Sequence, residues 1–298
     1  MPEPSAVEIW PKATGILDLP EDWASLEVSA LRGVEVEWKE RREAALGSSE
    51  LETFTEQLNR EWAIETGIIE NLYDIERGVT MVLIEQGFSA AVMEHGSVNK
   101  EPAHILALLN DQKDALEGLF DFVAQRRPLS AGYIKELHAA MTKSQTTVVA
   151  RDIGGVETEV PMLHGEWKTQ PNYPVRDGQI YRYCPPEHTA SEMDRLVAMY
   201  LRHERIPPEV EAAWLHHRFT QIHPFQDGNG RVARALASLV LIRAGLFPLV
   251  VPRDEKSIYL ESLERADEGN LRSLTLLIAR REEAAFRRAK DVLERLSK

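Results

Sequence analysis

The chain has almost no cysteine, no excess of positive charge and no long apolar run. A single cysteine, Cys184, in 298 residues excludes an internal disulfide and a zinc cluster built on cysteines. Lys and Arg number 35 against 48 Asp and Glu, a net charge of −13. Affinity for a nucleic-acid backbone comes mostly from Lys and Arg, so this balance argues against DNA or RNA as a partner. No apolar stretch approaches the roughly 20 residues of a membrane helix. The start, Met1-Pro2-Glu3-Pro4, lacks the basic and apolar regions of a signal peptide. No membrane partner is expected, and a cytoplasmic location is the default. No Gly-Lys pair occurs anywhere, which excludes a P-loop. What is present is an ordinary globular composition, 43% hydrophobic and 28% charged, with enough chain to bury a core.

The apolar pattern is mostly helical. Residues 1–24, with Trp10 and Trp23, read as an irregular arm packed on the body. Amphipathic helices are predicted over 25–47 and 50–77. In the second, Phe54, Leu58, Trp62, Ile69 and Tyr73 recur at helical steps, and Gly78 serves as a stop. Further helices are predicted near 80–94, 101–126 and 130–143, with Asn99 as a candidate cap and Pro128 as a break. Residues 148–188 read as short strands and turns, with Asp177-Gly178 a hairpin signal. Helical pattern resumes at 190–203 and 208–220. Residues 232–244 are apolar almost all round, broken by Arg234 and Arg243, as in a buried central helix. Residues 270–296 form a charged amphipathic helix. The expected fold class is mainly α: a helical bundle around that central helix, with a small β insertion.

One stretch concentrates chemistry: Ile222-His223-Pro224-Phe225-Gln226-Asp227-Gly228-Asn229-Gly230-Arg231-Val232-Ala233-Arg234. Pro224 pushes His223 out of the α region, so a helix ends there and His223 falls on a loop. Gly228-Asn229-Gly230 allows an anion-binding nest, and the N-terminus of the following helix suits phosphate. Arg231 and Arg234 add positive charge, and Arg grips phosphate as a fork. A carboxylate at Asp227 makes sense there if a cation bridges it, and Mg²⁺ prefers one or two carboxylates plus phosphate oxygens. His223 adds a group that titrates near neutral pH and can serve as a general base. Phe225 is read as a core anchor. A dinucleotide fingerprint would need a strand before Gly228, where a helix is predicted.

The run His223 to Arg231, HPFQDGNGR, resembles the Fic motif HPFx(D/E)GNGR, with the usual second arginine at Arg234. The resemblance spans about 128–282. Residues 164–186 look like the Fic flap hairpin, and Tyr259 with residues 266–270 look like the segment that closes over adenine. The resemblance implies a Fic-type bundle and a protein adenylyltransferase, which moves AMP from ATP to a Ser, Thr or Tyr hydroxyl of a target protein and releases pyrophosphate. It implies His223 as the base, Asp227 as the Mg²⁺ ligand, and Gly228, Asn229, Gly230, Arg231, Arg234, Tyr259 and Asp267 as ATP-binding residues. Gln170, Asn172, Tyr173 and Val175 of the flap would pair with an extended segment of the target. Gly230 favours AMP transfer over phosphate transfer, since relatives with Lys there can act as phosphotransferases. The alternatives are a Fic-type enzyme that removes AMP or transfers another phosphate-bearing group, and a non-enzymatic ATP sensor.

Thr66-Gly67-Ile68-Ile69-Glu70-Asn71 is similar to the Fic inhibitory motif (S/T)xxxE(G/N). Thr66 and Glu70 are four apart and share a helix face. The resemblance implies that Glu70, supported by Thr66 and Asn71, pairs with Arg234 and blocks the γ-phosphate. The expected organisation is 1–100 for the arm and helices that include the inhibitory one (about 50–77), 101–285 for the Fic core with its flap at about 164–186, and 286–298 for the end of the C-terminal helix. That tail is also a candidate homodimer contact. His203, His216, His217 and His223 invite a metal reading, but neighbouring helical residues point roughly 100° apart and cannot easily chelate. Cys184 is expected to be a packed thiol.

Overall fold

In the computed structural model, residues 6–45, 47–94, 98–151, 156–176 and 179–296 are described. Among them lie eleven α-helices and five short strands. The arm opens with β1 (Ala6–Glu8) and runs to α1 (Ser29–Ala45) and α2 (Ser49–Ile69). Ser48 caps α2 by accepting from the Leu51 N–H, at 3.3 Å. Next come α3 (Arg77–Gln86), α4 (Ala90–Glu94), α5 (Pro102–Ala124) and α6 (Ala131–Thr142). The β insertion holds β2 (Thr147–Arg151), β3 (Glu157–Pro161), β4 (Val175–Arg176) and β5 (Gln179–Arg182). The chain closes with α7 (Pro186–Tyr200), α8 (Pro208–Ile222), α9 (Asn229–Arg243), α10 (Lys256–Asp267) and α11 (Arg272–Leu296).

The expected central helix is α9. Its residues 231–242 are all buried, as an apolar circumference requires. One continuous core runs from Trp10 in the arm, through Trp62 of α2 and Leu236 of α9, to Leu293 of α11. The tail of α11 is therefore packed on this core through Phe286, Ala289 and Leu293, and the helix runs unbroken across residue 286. A second core lies under α2, α3 and α5, around Ile64, Tyr73 and Ile105.

Several sequence expectations change. Helix α2 stops at Ile69 rather than 77, because Asn71 adopts the left-handed region (φ 55). The Asn71 N–H donates to the Ile68 carbonyl (3.0 Å) and the Leu72 N–H to the Gly67 carbonyl (3.0 Å), which is a Schellman ending. Tyr73 then folds back beneath the helix, where its hydroxyl donates to the Ala63 carbonyl (3.1 Å). Gly78 stops nothing and lies inside α3. Asn99 is not a helix cap: Pro102 takes the first position of α5, so Glu101 caps it by accepting from His104 N–H (2.8 Å). Asn99 instead accepts from the Asp74 N–H.

The strands make two sheets. β2 and β3 form an antiparallel ribbon, and β4 and β5 form a two-residue hairpin contact with Val175 opposite Ile180. Asp177-Gly178 lies outside the described residues. The arm adds β1 in parallel to the other edge of β5, with Val7 opposite Tyr181. Residues 169–174 form no strand. Among the described residues, no helix is long and apolar enough to cross a membrane.

Gly67 is the tight point of the segment from Thr66 to Asn71. A Cβ there would collide with the Tyr73 hydroxyl and ring. Gly67→Ala is expected to destabilise the chain by about 1–3 kcal/mol, read as a lower midpoint in urea. An unchanged midpoint would mean that Tyr73 does not pack under α2.

Candidate active site

Helix α8 ends at Ile222, and His223 turns into the left-handed region (φ 51, ψ 58) before Pro224. A side chain with a Cβ costs roughly 1–2 kcal/mol there, so the loop must be held from outside. Phe225 is its buried anchor, stacked on His138 with ring centroids 3.7 Å apart. Asn229 grips both polar groups of the Phe225 main chain. Its Oδ1 accepts from Phe225 N–H (2.9 Å) and its Nδ2 donates to the Phe225 carbonyl (2.8 Å). The Asn229 side chain therefore closes the loop instead of reaching outward, and only its backbone is left for a phosphate. Gly228, the residue before α9, is in the left-handed region (φ 77) with Asn229 already helical, and no side chain caps the helix. That pairing is the expected nest.

The two arginines part company. Arg234 is four residues past Gly230, so it shares that face of α9. Arg231 is one past it, roughly 100° round the helix. Arg231 is fully buried and donates to the Met141 carbonyl (3.2 Å), Gln145 Oε1 (2.6 Å) and Asp227 Oδ2 (3.3 Å). It braces Asp227 from behind. Gln145 donates to the same Asp227 oxygen at 2.6 Å. Asp227 Oδ1 makes no hydrogen bond among the described residues, and the side chain is 41% exposed. A metal held by one carboxylate and by a ligand's own phosphates fits this donor set.

Arg234 sits in the centre. Its Nη2 lies 2.9 Å from Glu70 Oε1 and donates to the Thr66 carbonyl (3.0 Å), and its Nη1 donates to the Tyr259 hydroxyl (3.3 Å). Burial opposes its charge, yet Glu70 and Tyr259 together raise its pKa above the ordinary arginine value. The Glu70 carboxylate also stands directly over Gly230, where any Cβ would strike it. It thus occupies the positive end of α9, a place that favours an anion. The Thr66 to Asn71 pattern has a local reason: Asn71 supplies the left-handed ending that leaves Glu70 at the cap of α2, pointing at α9. Asn71 is itself tied to α10 by Lys256 Nζ, at 2.9 Å.

These groups meet in a cavity of about 350 Å³. His223, Asp227, Gly230, Glu70, Tyr259 and Asp267 line it, together with Ile9 from the arm and Tyr183 after β5. Tyr183 and His223 rings lie 4.0 Å apart. Among the described residues, four carboxylates line the wall (Glu70, Asp227, Glu264, Asp267) against one ammonium, Lys256. Arg234 is screened behind Glu70, so in this state the wall itself is acidic.

Helix α10 is an element that the sequence pattern does not announce. It brings Tyr259 to Arg234, and Asp267 to the far end of the cavity, where His217 holds it (Nε2 to Oδ1, 2.8 Å). His216 bonds to Tyr259 (2.9 Å), and His203 lies near Asp18 and Glu211. The three histidines thus face separate partners and share none. Among the described residues, no group of three or more His, Cys, Asp or Glu is arranged to hold a metal. Cys184 is buried, with its thiol pushed up to about 12 by desolvation. In the flap segment Gln170 is exposed and Tyr173 half-buried, and Val175 begins β4. Asn172 points inward, donating to the Phe225 carbonyl (2.8 Å).

Residues 128–241 match the model of the Fic/DOC family. Over 121 residues it is 35% identical to protein adenylyltransferase fic-1 of Caenorhabditis elegans, a match that covers 38% of this chain and 24% of that protein. Over 68 residues it is 43% identical to protein adenylyltransferase Fic of Drosophila melanogaster, covering 23% of this chain and 14% of that protein. The chain therefore spans about a quarter or less of these relatives' length. In fold it is similar to a Fic domain containing signaling protein from Bacteroides thetaiotaomicron (TM-score 0.68, 24% identity, 88% of this chain and 97% of that one). It is also similar to Fic-1 of C. elegans (TM-score 0.62, 22% identity, 89% and 73%). Around the Fic motif, Gln145, His138 and Lys168 escaped the sequence reading. Each is fixed by contacts far away in the chain, and no short pattern marks them.

Proposed function

We propose that this Fic chain transfers AMP from ATP to a hydroxyl side chain of a target protein, and that Glu70 holds the reaction back. The carrying observation is the Glu70–Arg234 pair, seated over Gly230 in the same cavity as His223 and Asp227. A nucleotide triphosphate is the anion that this geometry suits once Glu70 withdraws. Arg234 and the start of α9 then meet the terminal phosphates, and Tyr259 and Asp267 face the nucleoside. His223 takes the proton of the target hydroxyl. The oxygen attacks the α-phosphorus, the bond to the bridging oxygen breaks, and pyrophosphate leaves. Mg²⁺, held at Asp227 Oδ1, would neutralise phosphate charge. The chain's own part is positioning and charge placement. Residues 101–285 are the transfer body in this reading, and α2 is the brake.

Mass spectrometry of a protein extract incubated with ATP and the Glu70→Gly chain tests it. The expected result is a gain of one AMP on a Ser, Thr or Tyr. A gain of phosphate alone would assign a different transferred group.

A further inference from the structure

The His223 loop is held from below by a residue outside the motif. Lys168, at 3% exposure, donates through Nζ to the Ile222 carbonyl (3.3 Å) and to Asn172 Oδ1 (3.0 Å). Its main-chain N–H donates to the Pro224 carbonyl (2.8 Å). Asn172 continues the chain of bonds to the Phe225 carbonyl. The carbonyls on either side of His223 are therefore both held by one residue, and the next by that residue's own partner.

No carboxylate pairs with Lys168 among the described residues, and burial lowers its pKa to about 8. A buried ammonium without a counter-charge is costly, and an apolar side chain would sit there at less expense. What the lysine adds is a set of directed donors. They are needed because His223 is in the left-handed region, a strained conformation that persists only where the surroundings over-determine it.

We propose that Lys168, relayed by Asn172, is a positioning residue for His223: it fixes the strained main chain so that the imidazole faces the reacting hydroxyl. It also makes the flap segment and the base one mechanical body, since Lys168 and Asn172 both belong to the segment leading into β4. This rests on His223 acting as the base of the proposed transfer.

The test uses the full chain with Glu70→Gly as the parent. Adding Lys168→Met is expected to lower kcat for AMP transfer about 10- to 100-fold, the scale of a small misplacement of a catalytic group. KM for ATP and the stoichiometry of ATP binding should stay unchanged. Lys168→Arg, which keeps directed donors, should recover most of the rate. An unchanged kcat overturns the proposal. So does a loss of binding stoichiometry that matches the loss of rate, because Lys168 would then support the fold alone. The NMR resonance of the His223 imidazole needs no turnover: it should move in Lys168→Met and return in Lys168→Arg. A parent that transfers no AMP sinks the proposed function, while a shifted resonance in it still supports the brace and an unmoved one overturns the brace as well.

Discussion

In the Glu70→Gly chain, His223→Ala is expected to abolish AMP transfer, with a loss of about 10²- to 10⁴-fold, the usual worth of a positioned general base. ATP affinity should hardly change, because in the proposed reaction the holding falls to Arg234, the Gly228 turn, Asp227 and Tyr259. Alanine is poorly suited to the left-handed backbone at 223, so part of the loss in that variant is structural. His223→Asn separates the two effects, because asparagine tolerates that region. Both variants should bind ATP in an isothermal titration and neither should transfer AMP. A variant that keeps a tenth or more of the parent rate would remove His223 from the chemistry.

Glu70→Gly is expected to raise AMP transfer by roughly 10- to 100-fold over the wild type, the range of a typical coupling free energy of 1–3 kcal/mol. The gain comes from unmasking. Glu70 now satisfies Arg234, stands over Gly230 and contributes one of four carboxylates to the cavity wall. Its removal exposes a buried guanidinium to the nucleotide and lowers the repulsion against a polyanion. The same change leaves Arg234 without its carboxylate, and stripping one partner from a buried pair destabilises a fold. The variant should therefore melt lower than wild type in the absence of nucleotide and gain more from added ATP, by linkage. Thermal melts with and without ATP check this. Equal ATP stabilisation of both chains would mean that Glu70 does not compete with the nucleotide.

Much of the site was legible because its signals are local. Pro224 after His223, two glycines and two arginines lie within one short stretch, and α9 shows its apolar circumference directly. The Thr66 to Asn71 pattern was legible for the same reason, although periodicity alone carries its helix past the true end. The left-handed Asn71 that ends α2 is set by backbone bonds that hydrophobic periodicity does not register. What was illegible depends on distance in sequence. That Arg231 turns away to Met141 and Gln145 while Arg234 meets Glu70 is decided by the positions of α6 and α2, not by the motif. The parallel addition of β1 to β5 brings Ala6 opposite Ile180, and Lys168 reaches Ile222 across 54 residues. The net charge of −13 was uninformative in its own way: it argued against a nucleic-acid backbone as partner but could not distinguish Glu70 from the other acidic residues.

The most direct measurement gives wild type and the Glu70→Gly chain two labelled forms of ATP in parallel, one labelled at the α-phosphate and one at the γ-phosphate. Strong protein labelling from the α-label alone, in the variant and far less in wild type, is the predicted result. Labelling from the γ-phosphate, or equal α-labelling by both chains, would contradict AMP transfer restrained by Glu70.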